Sequence, residues 1–507
     1  MWRSAFAFAF AACFDPSYSD ATRCGPAGEC PTGRTCVQGL CKAGAGGSFS
    51  LTVAGGVWVV RGRTATLGMT LTRDPGFTDP VAVSLSGLPA GVTATPTSIT
   101  TTMGRINVTA GLTAPLGPAT CMLVAEGGRG STRVPVMLMI ADPAGSFDVT
   151  FAGTGGISIP EPASAVGNAS PAALLVRPNG SLIVAQDYLV AGVHQVALIS
   201  SQAAGTVDDG FGTGGEVVTS DFQIGSGTLQ PDGSVVAVGY GTASAATTLV
   251  RWDPTGTRVG DPVVAFAGTS PRAIAAQSDG SVVIADVKLA SGQGEICRRR
   301  ADLSADPSFA GTGCWVASTQ GAVVNALAVG ANDRIIGGGS SSSTTSTFYT
   351  VGLAADGSGA AEVAYPVLGA QDVGLAVTFS GSAPVVAGQH STTVDHAALA
   401  RTLGAGADPA FGGGIVVPDL GGPVGIIYGA ATQADGKIVV VGENGTSGVC
   451  ARLTGDGQPD TTFASGGVVG IAQTARLDLV AIAPDGRIVV AGTGTGNNDT
   501  EVFRIWP

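Results

Sequence analysis

The chain has 507 residues, with 25 Lys+Arg against 37 Asp+Glu, a formal charge of −12 and only 12% charged residues. That balance argues against a nucleic-acid binder relying on phosphate neutralisation, and a hydrophobic content of 44% argues against disorder. The 79 glycines, set among abundant Val, Thr, Ser and Ala with no long apolar stripe at helical spacing, predict an all-β protein of short strands and tight turns.

Residues 1–13 read as a targeting segment: Arg3, the apolar run AFAFAFAA at 5–12, then Cys13. The run is too short to span a bilayer. Small residues directly before a cysteine resemble a bacterial lipoprotein signal, which implies cleavage and lipidation at Cys13; Phe10 departs from that pattern, and an ordinary secretory signal is the alternative. With Phe14 next there is no acidic retention signal, so an outer-membrane or cell-surface destination is expected, otherwise secretion.

Residues 14–46 hold Cys24, Cys30, Cys36 and Cys41 in RCGPAGECPTGRTCVQGLCKAG. Such a segment buries little core, so two disulfides are the expected staple in an exported chain. Three connectivities remain open. A zinc site competes less well, because the cysteines are five, five and four residues apart with no histidine nearby. The wording is similar to Cys-rich stubs that follow lipoprotein cysteines in myxobacterial surface proteins.

Residues 47–142 show strand alternation, with Ala65, Leu67, Met69 and Leu71 separated by Thr66, Gly68 and Thr70. About a hundred residues with roughly seven short strands is the size of an immunoglobulin-like sandwich. The segment resembles bacterial Ig-like repeats, through its GLPAGV turn and final strand near 134–140. Cys121 is expected to be a small buried core residue.

From residue 143 to 507 a polar turn precedes an apolar strand seven times: Asn179-Gly180, Asp232-Gly233, Asp279-Gly280, Asn332-Asp333, Ser380-Gly381, Asp435-Gly436 and Asp485-Gly486, at intervals of 53, 47, 53, 48, 55 and 50 residues. A period near fifty with β-type units favours a closed propeller. The turns read as two-residue hairpin loops at positive φ. Continuous apolar runs such as 438–441 and 488–491 read as strands covered on both faces. A second marker is Phe151, Phe211, Phe309, Phe411 and Phe463, with Phe266 and Tyr365 as degenerate copies; a third is Arg251, Arg299, Arg401, Arg452 and Arg504. The arginines are expected to make structural ion pairs, for example Arg401 with Asp408 and Arg452 with Asp460, because they recur with the turns. Together these markers resemble the delta-60 repeat, a bacterial propeller family whose unit combines PDGKIVVAG, a strand ending in Arg-Leu and Asp-x-x-Phe-Gly; that resemblance implies the propeller fold and no common activity, while the turn and aromatic markers, each counted seven times, predict a seven-bladed β-propeller.

Catalytic and metal motifs are not evident. His194, His390 and His396 have no metal-ligand spacing, and the last two are expected in a loop. No nucleophile elbow, phosphate loop or calcium loop occurs. Arg298-Arg299-Arg300 is expected to be a solvated, partly paired strand end, and GGGSSSSTTST at 337–347 a flexible hairpin tip. The preferred reading is a non-catalytic, cofactor-free and monomeric envelope or extracellular protein binding a glycan or another protein. The rival is a propeller enzyme (lyase, glycosidase or lactonase) with a channel-mouth site, for which the non-repeated Asp187, Asp286, Glu443 and His194 are the groups to watch.

Overall fold

A computed structural model describes residues 23–25, 34–37, 40–43 and 49–507, the last without 54, 75–76, 128–129, 162–164, 166–168, 242–243, 320, 343–345, 367–370 and 497. Two short 3-10 turns, Phe309–Gly311 and Ala331–Asp333, are the only helical pieces among the described residues; everything else regular is strand. The chain divides into two compact units, Met1–Ala141 and Asp142–Pro507, one residue from the boundary read in the sequence.

In the first unit a hairpin pairs Arg34–Val37 with Leu40–Ala43 and sets Cys36 opposite Cys41. Cys24 is disulfide-bonded; Cys13 and Cys30 lie outside the described residues, as do the side chains of Cys36 and Cys41. Two further sheets follow. One orders Val57–Val60, Gly130–Ala141, Gly117–Gly127, Val81–Ser86 and Thr97–Ile99; the other orders Phe49–Val53, Thr64–Arg73, Met103–Ala110 and Val92–Thr95. They share one core in which Leu67, Leu71 and Ile106 of the second sheet join Val83, Leu123 and Leu138 of the first. The period-two pattern is the cause: Leu67, Met69 and Leu71 are buried while their neighbours face water. Cys121 is buried in this core, which raises its thiol pKa.

The second unit is a succession of antiparallel meanders, here sheets A to G. Sheet A comprises Ser170–Val176, Leu182–Val190, Val193–Ser201 and Glu216–Thr219; sheet B, Phe222–Leu229, Val235–Gly241, Ser244–Trp252 and Val263–Ala267. Sheet C comprises Thr269–Ala276, Val282–Lys288, Gly294–Arg299 and Cys314–Val316. Sheet D contains Ala322–Val329, Ile335–Ser342, Ser346–Leu353 and Ala361–Ala364, and a single parallel bridge, Ser346 to Gln371, joins it to sheet E. Sheet E contains Gln371–Ser380, Ala383–Ser391, Asp395–Leu403 and Ile415–Val416; sheet F, Ile426–Thr432, Ile438–Glu443, Gly448–Leu453 and Val468–Ile471. Sheet G takes Thr474–Ile482, Ile488–Gly494 and Thr500–Ile505 from the end of the chain and its fourth strand, Gly156–Ile159, from the start of the unit. The first strand of each sheet lies against the first strand of the next, and Thr474–Ile482 returns to Ser170–Val176. Closure of this kind leaves no open sheet edge at the chain ends.

Second strands are buried on both faces, as their unbroken apolar runs require: Ile438 and Val439 are wholly buried, Val440 and Val441 almost so, and Ile488–Ala491 wholly. The turn before them differs from the two-residue loop read in the sequence. In sheet F, Gly436 N donates to Gln433 O and Gln433 N to Lys437 O, so the loop has three residues. Only the glycine takes positive φ, +85° at Gly436. The aspartate has another role: Asp435 Oδ1 accepts from Lys437 N at 3.1 Å, as Asp232 does from Ser234 N at 2.8 Å and Asp279 from Ser281 N at 2.8 Å. This is an Asx turn followed by a left-handed glycine.

The run at 337–347, expected as a loop, lies largely within two paired strands of sheet D. Close packing explains its glycines, since a Cβ at Gly339 would sit 2.0 Å from Val323 O.

Candidate functional site

Each sheet has two ends with different chemistry. At the turn end, where first strand meets second and third meets fourth, the repeated residues assemble into clasps. Arg452 Nε donates to Asp460 Oδ2 at 2.8 Å and its guanidinium lies 4.6 Å over the Phe463 ring. Arg401 does the same with Asp408 and Phe411, and Arg504 with Asp148 and Phe151. In sheet C the clasp uses Arg298 with Asp306 at 2.6 Å and Phe309 at 5.1 Å. Arg299, the residue singled out in the sequence, points to the other face and stacks over Phe266 at 4.7 Å. Strand alternation forces the choice, since adjacent side chains take opposite faces. Arg251 departs from the clasp as well, pairing with Asp232 of its own turn.

These clasps also join neighbouring sheets. Arg298 donates to Ala355 O of sheet D at 2.9 Å, and Arg401 and Arg504 reach Gly455 O and Ala203 O of the sheets that follow theirs. The phenylalanines press on a turn glycine of the next sheet: a Cβ at Gly457 would meet the Phe411 ring at 2.9 Å. Gln230 and Gln277 add inter-sheet bonds to Gly280 O at 2.6 Å and Ala355 O at 2.9 Å. Burial pushes the Asp460 carboxyl up, but the Thr462 hydroxyl and amide, Lys437 and Arg452 outweigh it and hold the group below the usual range.

Two sheets lack the arginine, and a cleft opens at each. In sheet A, Ser200 stands in its place and Arg177, from the end of the first strand, reaches Ser200 and Asp208 beside a cleft of about 580 Å³. In sheet D, Gly352 stands there, Arg334 lies beside it, and the adjacent cleft measures about 340 Å³.

The opposite end carries what does not repeat. Every first strand has a register shift near its start, which leaves Ala172, Gly225, Arg272, Asn325, Leu375, Tyr428 and Asp478 as extra residues. A β-bulge re-aims its side chain. Across the bulge the second strand places Gly239, Gly339, Gly388, Gly442 and Gly492, because a Cβ at Gly442 would lie 1.8 Å from Ile426 O. Sheets A and C instead place Gln186 and Asp286 there, opposite Pro171 and Pro271.

Sheets F and G bring four polar side chains together at this end. The Tyr428 hydroxyl donates to Glu443 Oε1 at 3.0 Å, Arg476 Nε donates to Asp478 Oδ1 at 2.8 Å, and the Arg476 guanidinium lies 5.3 Å over the Tyr428 ring. Burial pushes Asp478 up to about 6, against the opposing pull of Arg476 and with help from Glu443. Its Oδ2 is buried with no hydrogen-bond partner among the described residues. Tyr428 is pushed up to about 12 by burial and by Glu443.

The non-repeated groups noted in the sequence lie at this same end. Asp187 and Glu443 are each the sixth residue of their second strands, Asp286 is the fifth of its own, and His194 is the second residue of a third strand. His194 Nδ1 lies 2.8 Å from Asp187 Oδ2, and burial nevertheless raises the Asp187 pKa. His390 and His396, expected in a loop, face each other in register across sheet E, and His390 Nδ1 bonds buried Asp372 at 2.9 Å. The sequence reading also missed the Cys297–Cys314 disulfide, which ties the third and fourth strands of sheet C. Two cysteines 17 positions apart within one repeat were its available signal.

A family model described as a domain of unknown function (DUF5122) beta-propeller matches residues 433–463, which hold the turn, second strand and clasp of sheet F, and residues 483–507, which hold the turn, second strand and clasp arginine of sheet G. The second unit is a β-propeller domain. No curated protein matches the chain. Among solved structures, a quinonprotein alcohol dehydrogenase-like protein from Bacteroides thetaiotaomicron is 9% identical, with 88% of this chain and 90% of that one covered, at a TM-score of 0.34. Domains 4 and 5 of the S-layer protein SbsC are 21% identical over 19% of this chain, at a TM-score of 0.15, and the match spans 53% of that structure. Tandem Ig domains of titin are 9% identical over 41% of this chain and 96% of theirs, at a TM-score of 0.13. Likenesses this distant assign no activity.

Proposed function

We propose that residues 142–507 are a seven-bladed propeller of the delta-60 repeat kind, that residues 49–141 are an Ig-like sandwich, and that the exported chain acts as a non-catalytic binding platform at the cell envelope. Sheets A to G, neighbouring in chain order with sheet G completed from both ends, support the blade count. The Cys-rich segment is the short tether between a lipidated Cys13 and these units, stapled by Cys24, Cys30, Cys36 and Cys41. One observation carries the binding assignment: clasps use up the repeated residues at the turn end, whereas the opposite end gathers Tyr428, Glu443, Arg476 and Asp478. An aromatic face beside paired hydrogen-bond donors and acceptors suits a hydroxyl-rich ligand, so a glycan is the preferred partner and a protein surface the second.

A single observation favours the enzyme reading. Asp478, raised to about 6, lies near a second carboxylate, Glu443, and such a pair can divide acid and base roles. Glycan-array binding by the wild type and by a Tyr428→Phe/Asp478→Asn variant tests the choice. Binding that the variant loses, with no turnover of glycosides or lactones, supports the platform; saturable turnover lost in Asp478→Asn replaces it with an enzyme. Fractionation of a Cys13→Ser variant tests the anchor, which predicts a move from membrane to soluble fraction.

A further inference from the structure

Asp286 is a wholly buried carboxylate at the bulge end, with no hydrogen-bond partner among the described residues. It is 0% exposed, and among the described residues neither of its oxygens accepts a hydrogen bond. It stands where five other sheets have glycine, so its side chain enters space that the bulge keeps closed elsewhere. Glu295, 3% exposed, pairs with it directly across the sheet. Lys288 Nζ holds Glu295 Oε2 at 3.0 Å.

Two hydroxyls complete the surroundings from sheet B and from the first strand of sheet C. Thr269 Oγ1 donates to Phe266 O at 3.1 Å, and Thr247 and Thr269 share a bond of 2.7 Å. Each threonine oxygen keeps a lone pair for a further partner. The two threonines are near enough to favour ionised Asp286, yet burial and Glu295 oppose that form and push the group up to about 8.

We propose that Asp286, Glu295, Thr247 and Thr269 form a site for a hard divalent cation of the calcium class, held between sheets B and C. Its ligands are all oxygen, as such a cation requires. A proton on Asp286 satisfies one of the two oxygens and leaves the other buried without a donor, whereas a cation satisfies both. The charge also matches: Lys288 is 40% exposed and can turn to water, leaving two carboxylates opposite a charge of two. The site is independent of the glycan reading, because it rests on side chains enclosed between sheets and away from the Tyr428 cluster. A cation there would tie the two sheets at the end that the clasps do not reach.

Calorimetric titration of chelator-treated full-length protein with calcium chloride, with metal content measured by mass spectrometry, tests the assignment. The expected result is one calcium per chain and a melting temperature that rises with calcium. Asp286→Asn, a neutral isostere, should weaken binding by more than about a hundredfold, beyond the effect of losing a group that merely orients a ligand, and Glu295→Gln should act in the same direction. Circular dichroism of the two variants separates lost binding from lost folding. No binding at millimolar calcium, or binding that survives Asp286→Asn, would overturn the site. A melting temperature that falls as pH rises from about 4 to about 8 and ignores calcium would also overturn it, and would assign the buried acid to a proton.

Discussion

The turn end and the bulge end of the propeller are built from the same strands, yet they obey opposite rules. At the turn end the same three side chains recur in sheets C, E, F and G, each ion pair is largely buried, and the arginines of sheets C, E and G also bond a neighbouring sheet. At the bulge end the backbone recurs while the side chains change from sheet to sheet: Asp187, Tyr240, Gln389 and Glu443 occupy comparable places. A ring of packed sheets needs its inter-sheet joints to be uniform, and placing them at one end leaves the other free to vary. The two clefts at the turn end fit the same rule, since they lie where the clasp arginine is missing.

The largest effect expected is from Phe411→Ala. The ring is wholly buried and packs on Gly457 of the next sheet, so its loss should cost about 3–5 kcal/mol in chemical denaturation. A cost below about 1 kcal/mol would show that the clasp does not join sheets E and F. Arg452→Ala comes next, at about 3 kcal/mol, because it deprives Asp460, 5% exposed, of its closest cation while leaving Lys437 at 3.1 Å. Thr462 alone should not rescue it.

At the other end the sign reverses. Asp478 has a folded pKa raised to about 6 from an ordinary value near 3.9, so the folded state holds the proton more tightly and stability falls as pH rises from about 4 to about 6. Asp478→Asn should remove that slope and gain about 2 kcal/mol at pH 7, read from denaturation midpoints at pH 4 and pH 7. An unchanged slope would mean that the carboxylate is satisfied by water. Tyr428→Phe should be the mildest change, costing about 1 kcal/mol for one hydrogen bond while weakening glycan capture.

The sequence carried the architecture better than the site. The turn spacing and apolar runs predicted buried second strands, and Arg401–Asp408 and Arg452–Asp460 form as read. Local composition could not separate Arg298 from Arg299, because only the register decides which of two adjacent side chains faces the next sheet. Nor could it show that Arg177 and Arg334 stand in from other strands where Ser200 and Gly352 replace the repeat arginine. Asp187, Asp286, Glu443 and His194 stood out as departures from the repeat. Tyr428, Arg476 and Asp478 did not, since the bulges that present them leave no motif beyond a glycine on the adjacent strand.

Thermal unfolding of two variants side by side tests the division between the ends most directly. Arg452→Ala at the turn end should lower the melting temperature by about 4 °C. A combined Asp187→Asn, Glu443→Gln and Asp478→Asn variant at the bulge end should melt at or above the wild-type temperature at pH 7. If the triple variant melted as low as Arg452→Ala, the bulge-end acids would be structural joints too, and the division would fail.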